Sequence, residues 1–239
     1  MYKYFYDLHI HSCLSPCGDN DMTPNNIVNM AALKGLDMIA LCDHNTAKNC
    51  RAAKKAAKNS GLDIIVVPGI EVTTSEDVHV LVYFPDFDAA DAFESEMIQK
   101  NRVLIKNNPA IFGDQLILNE FDEKVGEEQH LLINAVGVSI DDVFRAAPKY
   151  GAAAAAAHIN KGANGIIEIL GDYPKSLKNF AAEIQTFEKI GELTGKYNFT
   201  GKILCSSDAH YLWDILEPGN IMESGEKITC PKDFVNFLK

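Results

Sequence analysis

The chain has 239 residues, 47% of them apolar, and 33 acidic against 22 basic side chains give a net charge of −11. That length reads as one domain with a single sizeable core; no apolar stretch approaches a membrane span, and no basic-then-apolar signal layout opens it. The acidic excess disfavours an extended nucleic-acid-binding surface, although a local cationic pocket stays compatible with it.

In chain order the pattern alternates strand and helix. Tyr4 to Leu8 reads as a strand ending at His9, and Thr23-Pro24 supplies an N-cap and a first-turn proline for a helix carrying Ile27, Val28, Met30, Ala31 and Leu33, closed by Gly35. Asp37 to Cys42 is the next strand, running into Asp43-His44, followed by a helix from about Thr46 to Asn59. Ile64 to Val67 is a continuous apolar run, as for a strand buried on both faces, and leads through Pro68-Gly69 to Glu71. Val78 to Phe84 is a fourth strand, with its histidine near the start rather than the end. Asp88 to Asn107 reads as helix, residues 108–137 as an insertion near the site without steady period, and Ser139 to Tyr150 as a helix capped by Ser139.

Gly151 to Ala157 holds six consecutive alanines, which favour helix by propensity. Its place between a helix and His158 asks for a strand, and small side chains suit a crowded barrel interior. Ala182 to Thr186 and Ile203 to Ser206 supply two more strands, with a helix from 187 to 197 between them; the tail returns through Gly219 to Met222 and ends in a helix from Pro231. Seven such units imply a parallel sheet closed into an α/β barrel over 1–239, with a site at the carboxyl ends of its strands.

Six of the seven histidines lie beside strand ends. His9 and His11 are two apart in an extended segment and so share a face; Asp208 and His210 repeat the spacing. His44, Glu71, His79 and His158 complete eight candidate ligands, too many for one tetrahedral ion. Taken singly, His79 reads as a capping residue, His158 as packed in the barrel and Glu71 as a solvated loop acid. Independent surface residues have no reason to collect at one end of successive strands. Asp7 and Asp43 are placed to orient adjacent imidazoles from behind, whereas His130 and Arg102 read as solvated surface groups. The six cysteines form no Cys-x-x-Cys pair and read as reduced thiols of a cytoplasmic protein.

The segments Asp7-Leu8-His9-Ile10-His11-Ser12, Cys42-Asp43-His44-Asn45, Gly69-Ile70-Glu71-Val72-Thr73, His79, Ala157-His158-Ile159-Asn160 and Ser207-Asp208-Ala209-His210 together resemble the polymerase and histidinol phosphatase (PHP) superfamily, from Tyr4 to about Leu212. The resemblance implies a distorted seven-stranded β/α barrel with two or three divalent ions of zinc, manganese or iron. By family pattern His9, His11, Glu71 and Asp208 surround one ion, and Glu71 bridges to a second held by His79 and His158. His44 and His210 then hold a third with one more ligand from the loop after His11. Family members often place Ser-Asp-Gly there. This chain has Ser15-Pro16-Cys17-Gly18-Asp19, leaving Asp19 or Cys17 as the alternatives.

The expected activity is metal-assisted hydrolysis of a small phosphorylated metabolite, nucleotide or short oligonucleotide end. Glu71, Asp208 and His210 would act at the reacting centre, and Lys161 on a phosphate oxygen. The competing readings are a non-catalytic barrel with structural or regulatory metals and, further behind, an amidohydrolase.

Overall fold

The computed structural model describes residues 1–188 and 190–239. The first half contains β1 (Tyr2–Ile10), α1 (Pro24–Leu33), β2 (Met38–Leu41), α2 (Cys50–Asn59), β3 (Ile65–Thr73) and β4 (His79–Tyr83). It continues with α3 (Phe87–Phe93), which runs into a π-helical turn over Glu94–Gln99. Next come α4 (Pro109–Phe112), a hairpin of β5 (Leu116–Leu118) and β6 (Lys124–Glu127), α5 (Ile140–Ala146) and β7 (Ala153–Ala156). The chain ends with α6 (Ile166–Leu170), β8 (Ala181–Ile184), α7 (Ile190–Tyr197), β9 (Ile203–Cys205), β10 (Ile221–Ser224) and α8 (Pro231–Leu238). Among the described residues no helix is long and apolar enough to cross a membrane.

The main sheet has the order β10-β1-β2-β3-β4-β7-β8-β9 and curls into a distorted α/β barrel. It is not fully parallel, as the alternation of elements implied: β4 runs antiparallel to both β3 and β7, and β10 antiparallel to β1. Reversal of β4 explains why His79 stands at a strand start. The amino end of that strand lies on the same side as the carboxyl ends of the mutually parallel strands β1, β2, β3, β7, β8 and β9.

No strand ladder joins β9 to β1. A single parallel bridge between Ile10 and Ala209 does, helped by side chains. Asp7 accepts from the Ser207 N–H (3.1 Å), the Ser207 hydroxyl (2.6 Å) and the Leu216 N–H (3.0 Å), and the Tyr6 hydroxyl accepts from the Cys205 N–H at 3.2 Å. Asp7 thus closes the barrel, rather than orienting an imidazole.

Alternate strand residues fall into two apolar clusters. Tyr6, Leu8, Met38, Ala40, Val67, Leu81, Tyr83, Ala153, Ala155 and Leu204 fill the lumen, plugged by Phe234, Val235 and Leu238 of α8. Ile39, Leu41, Val66, Val80, Val82 and Ala154 face the covering helices instead. The alanines of β7 form a strand, all four buried; Ala153 and Ala155 face the lumen, where the Tyr83 and Phe234 rings meet edge-on at 5.4 Å and leave room for small side chains, while Ala154 and Ala156 face the covering helices.

Boundaries shift where tertiary contacts compete with propensity. Glu94 accepts from the Ala47 N–H at 2.8 Å and the Thr46 hydroxyl at 3.0 Å, so α2 begins at Cys50 and not at Thr46. The helix expected over 88–107 ends near Gln99. Of the helix expected over 187–197, Ile190–Tyr197 form α7, Phe187 and Glu188 lie in a bend and a turn before it, and Lys189 lies outside the described residues. Capping matched the sequence: the Thr23 side chain accepts from the Asn26 N–H, and Ser139 forms a capping box with Asp142. The 108–137 segment packs onto the loops after β1, β2 and β3: Leu116 N–H donates to Cys13 O (3.1 Å), Asn45 Nδ2 to Leu132 O (2.7 Å), and Val136 N–H to Thr73 O (2.9 Å).

Candidate metal centre

Strand parity aims some ligands directly. Glu71 on β3 and His79 on β4 share the parity of lumen residues Val67 and Leu81, and so project inward above the core. Others need a local device. In a regular β1, His9 and His11 would face away from Tyr6 and Leu8, but a register shift between Asp7 and Ile10 turns them in, and Ile10 joins the outer cluster. His158 has φ +27° and Asp208 φ +56°. Asp208 sits in the left-handed well that aspartate tolerates, whereas the His158 φ falls short of that well and persists only where its surroundings hold it.

All eight predicted ligands converge at one end of the barrel. Glu71, 1% exposed, is the hub. Its Oε1 lies 2.8 Å from His79 Nδ1, 3.2 Å from His158 Nε2 and 3.3 Å from His9 Nε2. Its Oε2 lies 3.1 Å from His44 Nδ1 and 3.3 Å from His11 Nε2. Asp208 Oδ1 is 3.2 Å from His11 Nε2 and 3.5 Å from His9 Nε2. Three sets of donor atoms approach within 4.8 Å of one another: His9, His11 and Glu71; His44, Glu71 and His79; His11, Cys17 and His210. The grouping differs from the family pattern, because His44 sits with Glu71 and His79 while His210 sits with His11. Of the two loop alternatives, Cys17 faces the cluster. The Asp19 carboxylate instead accepts from the Asp21 N–H in its own turn, at 2.9 Å.

The residue that sequence reasoning missed is Glu183, 1% exposed on β8. Its carboxylate accepts from His9 Nδ1 at 3.0 and 3.2 Å and from the His158 N–H at 3.0 Å. One acid thereby fixes a ring and holds the strained His158 backbone. Its signal was present: a carboxylate inside the run Ala181-Ala182-Glu183-Ile184 needs a buried partner. Asp43 acts one step back from an imidazole. Ser15 Oγ donates to Asp43 Oδ1 (2.7 Å) and accepts from His11 Nδ1 (2.9 Å). Both relays turn Nε2 of His9 and His11 toward the carboxylates, where the protonated rings donate and where a bound ion would instead meet the Nε2 lone pairs.

The electrostatics follow from burial and mutual contact. Burial disfavours the His9 cation, but Glu183, Glu71 and Asp208 outweigh it and hold that ring well above the ordinary imidazole range. His11 is treated alike and rises to about 9. Burial drives His44 well below the ordinary range, and burial with the neighbouring His11 takes His210 down to about 4. Glu71 and Asp208 resist the upward push of burial because imidazoles surround them, and both fall well below the usual carboxylate range.

The donor set fits divalent cations. Glu71 Oε2, His44 Nδ1 and His158 Nδ1 are buried without a hydrogen-bond partner, although the first two approach to 3.1 Å. Buried polar atoms carry such a cost where something else satisfies them. Imidazole nitrogens and carboxylate oxygens are what zinc, manganese and iron take.

A cavity of about 150 Å³ over the cluster is lined by Cys17, His44, Ile133, Lys161, Asn164 and His210, among others. Lys161 stands at its edge, with Nζ 2.7 Å from Asp208 Oδ2, and also lines a groove of about 400 Å³ with Asn160, Glu168 and Tyr197. Arg102 and His130 lie outside the cluster. Arg102 is an ion-paired group rather than a solvated one: its side chain is 13% exposed and 2.8 Å from Glu128.

A distorted barrel with a buried histidine–carboxylate cluster at one end defines a metal-site α/β protein. The sequence profile of the PHP domain matches residues 7–187, and the chain belongs to that family. It is 31% identical to a 5′-3′ exoribonuclease of Haemophilus influenzae over 46% of this chain and 39% of that one. Among solved structures, the lesion-specific endonuclease Q of Pyrococcus furiosus superposes with TM-score 0.59 at 19% identity, over 88% of this chain and 49% of that one. An amidohydrolase of Chromobacterium violaceum, solved with sulfate and no metal, superposes with TM-score 0.55 at 16% identity over 91% of each chain. The chain spans about two-fifths of the exoribonuclease and half of the endonuclease.

Proposed function

We propose that this chain is a metal-dependent phosphoesterase that hydrolyses a phosphate ester of a nucleotide or a short oligonucleotide end. The observation that carries the reading is the Glu71 hub, one carboxylate shared by five imidazoles from four segments, with an oxygen and a facing nitrogen lacking partners. His9, His11, His44, Glu71, His79, His158, Asp208 and His210 would hold two or three ions. Bound divalent ions supply Lewis-acid polarisation of phosphoryl oxygens and acidify a water toward neutral pH.

The chain's own side chains do the rest. Glu183 and the Ser15–Asp43 pair fix the tautomers of His9 and His11, and Glu71 and Asp208 set the negative charge between them. Lys161, at the junction of cavity and groove, exchanges its Asp208 partner for a phosphoryl oxygen. The groove offers a nucleoside-sized space next to the phosphate position, and similar proteins named as an exoribonuclease and a lesion-specific endonuclease support that choice over a smaller metabolite. These relatives weigh against reading the overall charge of −11 as excluding nucleic acid, since a substrate end meets the local cavity and not the whole surface.

The test measures metal content and hydrolysis on one sample, before and after chelation, with p-nitrophenyl phosphate, its bis-ester, mononucleotides and short 5′-phosphorylated RNA and DNA. Two or three ions per chain and chelator-sensitive hydrolysis fastest on a nucleotide substrate are expected. Bound ions with no turnover on any phosphoester would overturn the reading in favour of a structural metal role.

A further inference from the structure

The loop after β1 is built to present Cys17. Two successive turns fold it, Ser15 N–H to Ser12 O and Gly18 N–H to Ser15 O, each 3.0 Å. The Asp19 N–H then donates to the carbonyl of His210 at 2.9 Å, tying the loop to a candidate ligand. Gly18 is pressed so close that a Cβ there would sit 2.2 Å from Ser12 O, so the residue after Cys17 has to be glycine. The result is a sulfur within 4.8 Å of donor nitrogens of His11 and His210. His210 Nδ1 is engaged by the Asp208 carbonyl at 2.6 Å, which leaves Nε2 as its donor. Cys42, Cys50 and Cys205 instead set their sulfurs against backbone carbonyls of the core.

We propose that Cys17 and His210, beside His11, supply a thiolate-containing cation subsite at the edge of the cluster that selects a thiophilic ion such as zinc. It rests on the reading above that the cluster binds cations. A site of imidazole and carboxylate alone accepts manganese as readily as its abundance allows, whereas a thiolate ligand shifts preference to thiophilic ions. A carboxylate from the Asp19 side of the loop would have made the subsite hard. Cys17 makes it soft.

The experiment loads the full-length protein anaerobically with zinc or cobalt(II) and reads ion stoichiometry, zinc-edge X-ray absorption and the near-ultraviolet thiolate-to-cobalt charge-transfer band, for wild type, Cys17→Ser and Cys17→Asp. Expected for wild type is a sulfur neighbour at about 2.3 Å together with the charge-transfer band. Cys17→Ser should lose both and bind one ion fewer, or bind it with at least the roughly 10–100-fold weaker affinity that even an outer-sphere change costs. Cys17→Asp should keep the stoichiometry without the sulfur signal and gain manganese at zinc's expense. A loaded wild type without a sulfur neighbour, or unchanged stoichiometry and affinity in Cys17→Ser, overturns this subsite while leaving the phosphoesterase reading intact. A protein that takes up no ion at all overturns both.

Discussion

Replacing Glu183 with glutamine tests the claim that one buried acid both orients His9 and holds His158. The carboxylate makes two charge-assisted contacts, at 3.0 Å to His9 Nδ1 and 3.0 Å to the His158 N–H. Each is worth about 1.5–3 kcal/mol. Glutamine is nearly isosteric, so it opens no cavity, and its carbonyl oxygen can take the Oε2 position that both donors share, but it removes the negative charge and sets an NH2 group at the Oε1 position, 3.2 Å from the donating His9 Nδ1. The expected loss of folding stability without metal is about 2–4 kcal/mol, by denaturant unfolding. A residue serving stability alone would stop there. A positioning residue also weakens zinc binding, here by roughly 10–100-fold, because His9 loses the partner that sets its tautomer. Chelator competition reads that second effect. A Glu183→Gln protein within about 0.5 kcal/mol of wild type and with unchanged zinc affinity would refute the assignment.

Three further outcomes follow from the geometry. Lys161→Ala should lower kcat/KM on phosphorylated substrates by roughly 10–100-fold with metal content unchanged, as steady-state kinetics and elemental analysis would show. Asp7→Ala, which removes the acceptor for three donors at the β1–β9 seam, should cost about 3 kcal/mol or more; unfolding curves matching wild type would count against the seam. Glu128 lies 2.6 Å from Lys48 and 2.8 Å from Arg102. Although burial raises its pKa, these cations lower it from 4.5 to about 2. Because the folded pKa is depressed, this stabilisation is present above about pH 4.5 and is lost as pH falls through about 2. Acid titration of Glu128→Gln should lack that component, and identical acid profiles would contradict it.

Much of the site was legible in one dimension because metal ligands are few in type and have to cluster. His9-x-His11 and Asp208-x-His210 announced themselves by spacing, and the alanine run found its strand by position against propensity. Other features could not be read that way. Strand direction is set by pairing, so the reversal of β4 was visible only as the odd placement of His79 at a strand start. Glu183 looked like a single acid in an apolar run because its partners are 174 and 25 residues away. Asp7 was assigned to an imidazole by proximity in sequence, while its hydrogen bonds reach across the seam to Ser207 and Leu216.

By itself the sequence determined the alternation of elements, the family and the candidate ligands, since periodicity, capping and side-chain chemistry are local properties. The tertiary structure decided which of those candidates lie together. It placed His44 beside Glu71 and His79, brought Cys17 rather than Asp19 to His11 and His210, and turned His9, His158 and Asp208 inward by a bulge and two residues of positive φ. Those outcomes depend on strand register and loop closure over long separations. Side-chain direction reverses with every residue of register, so no local pattern could have fixed them.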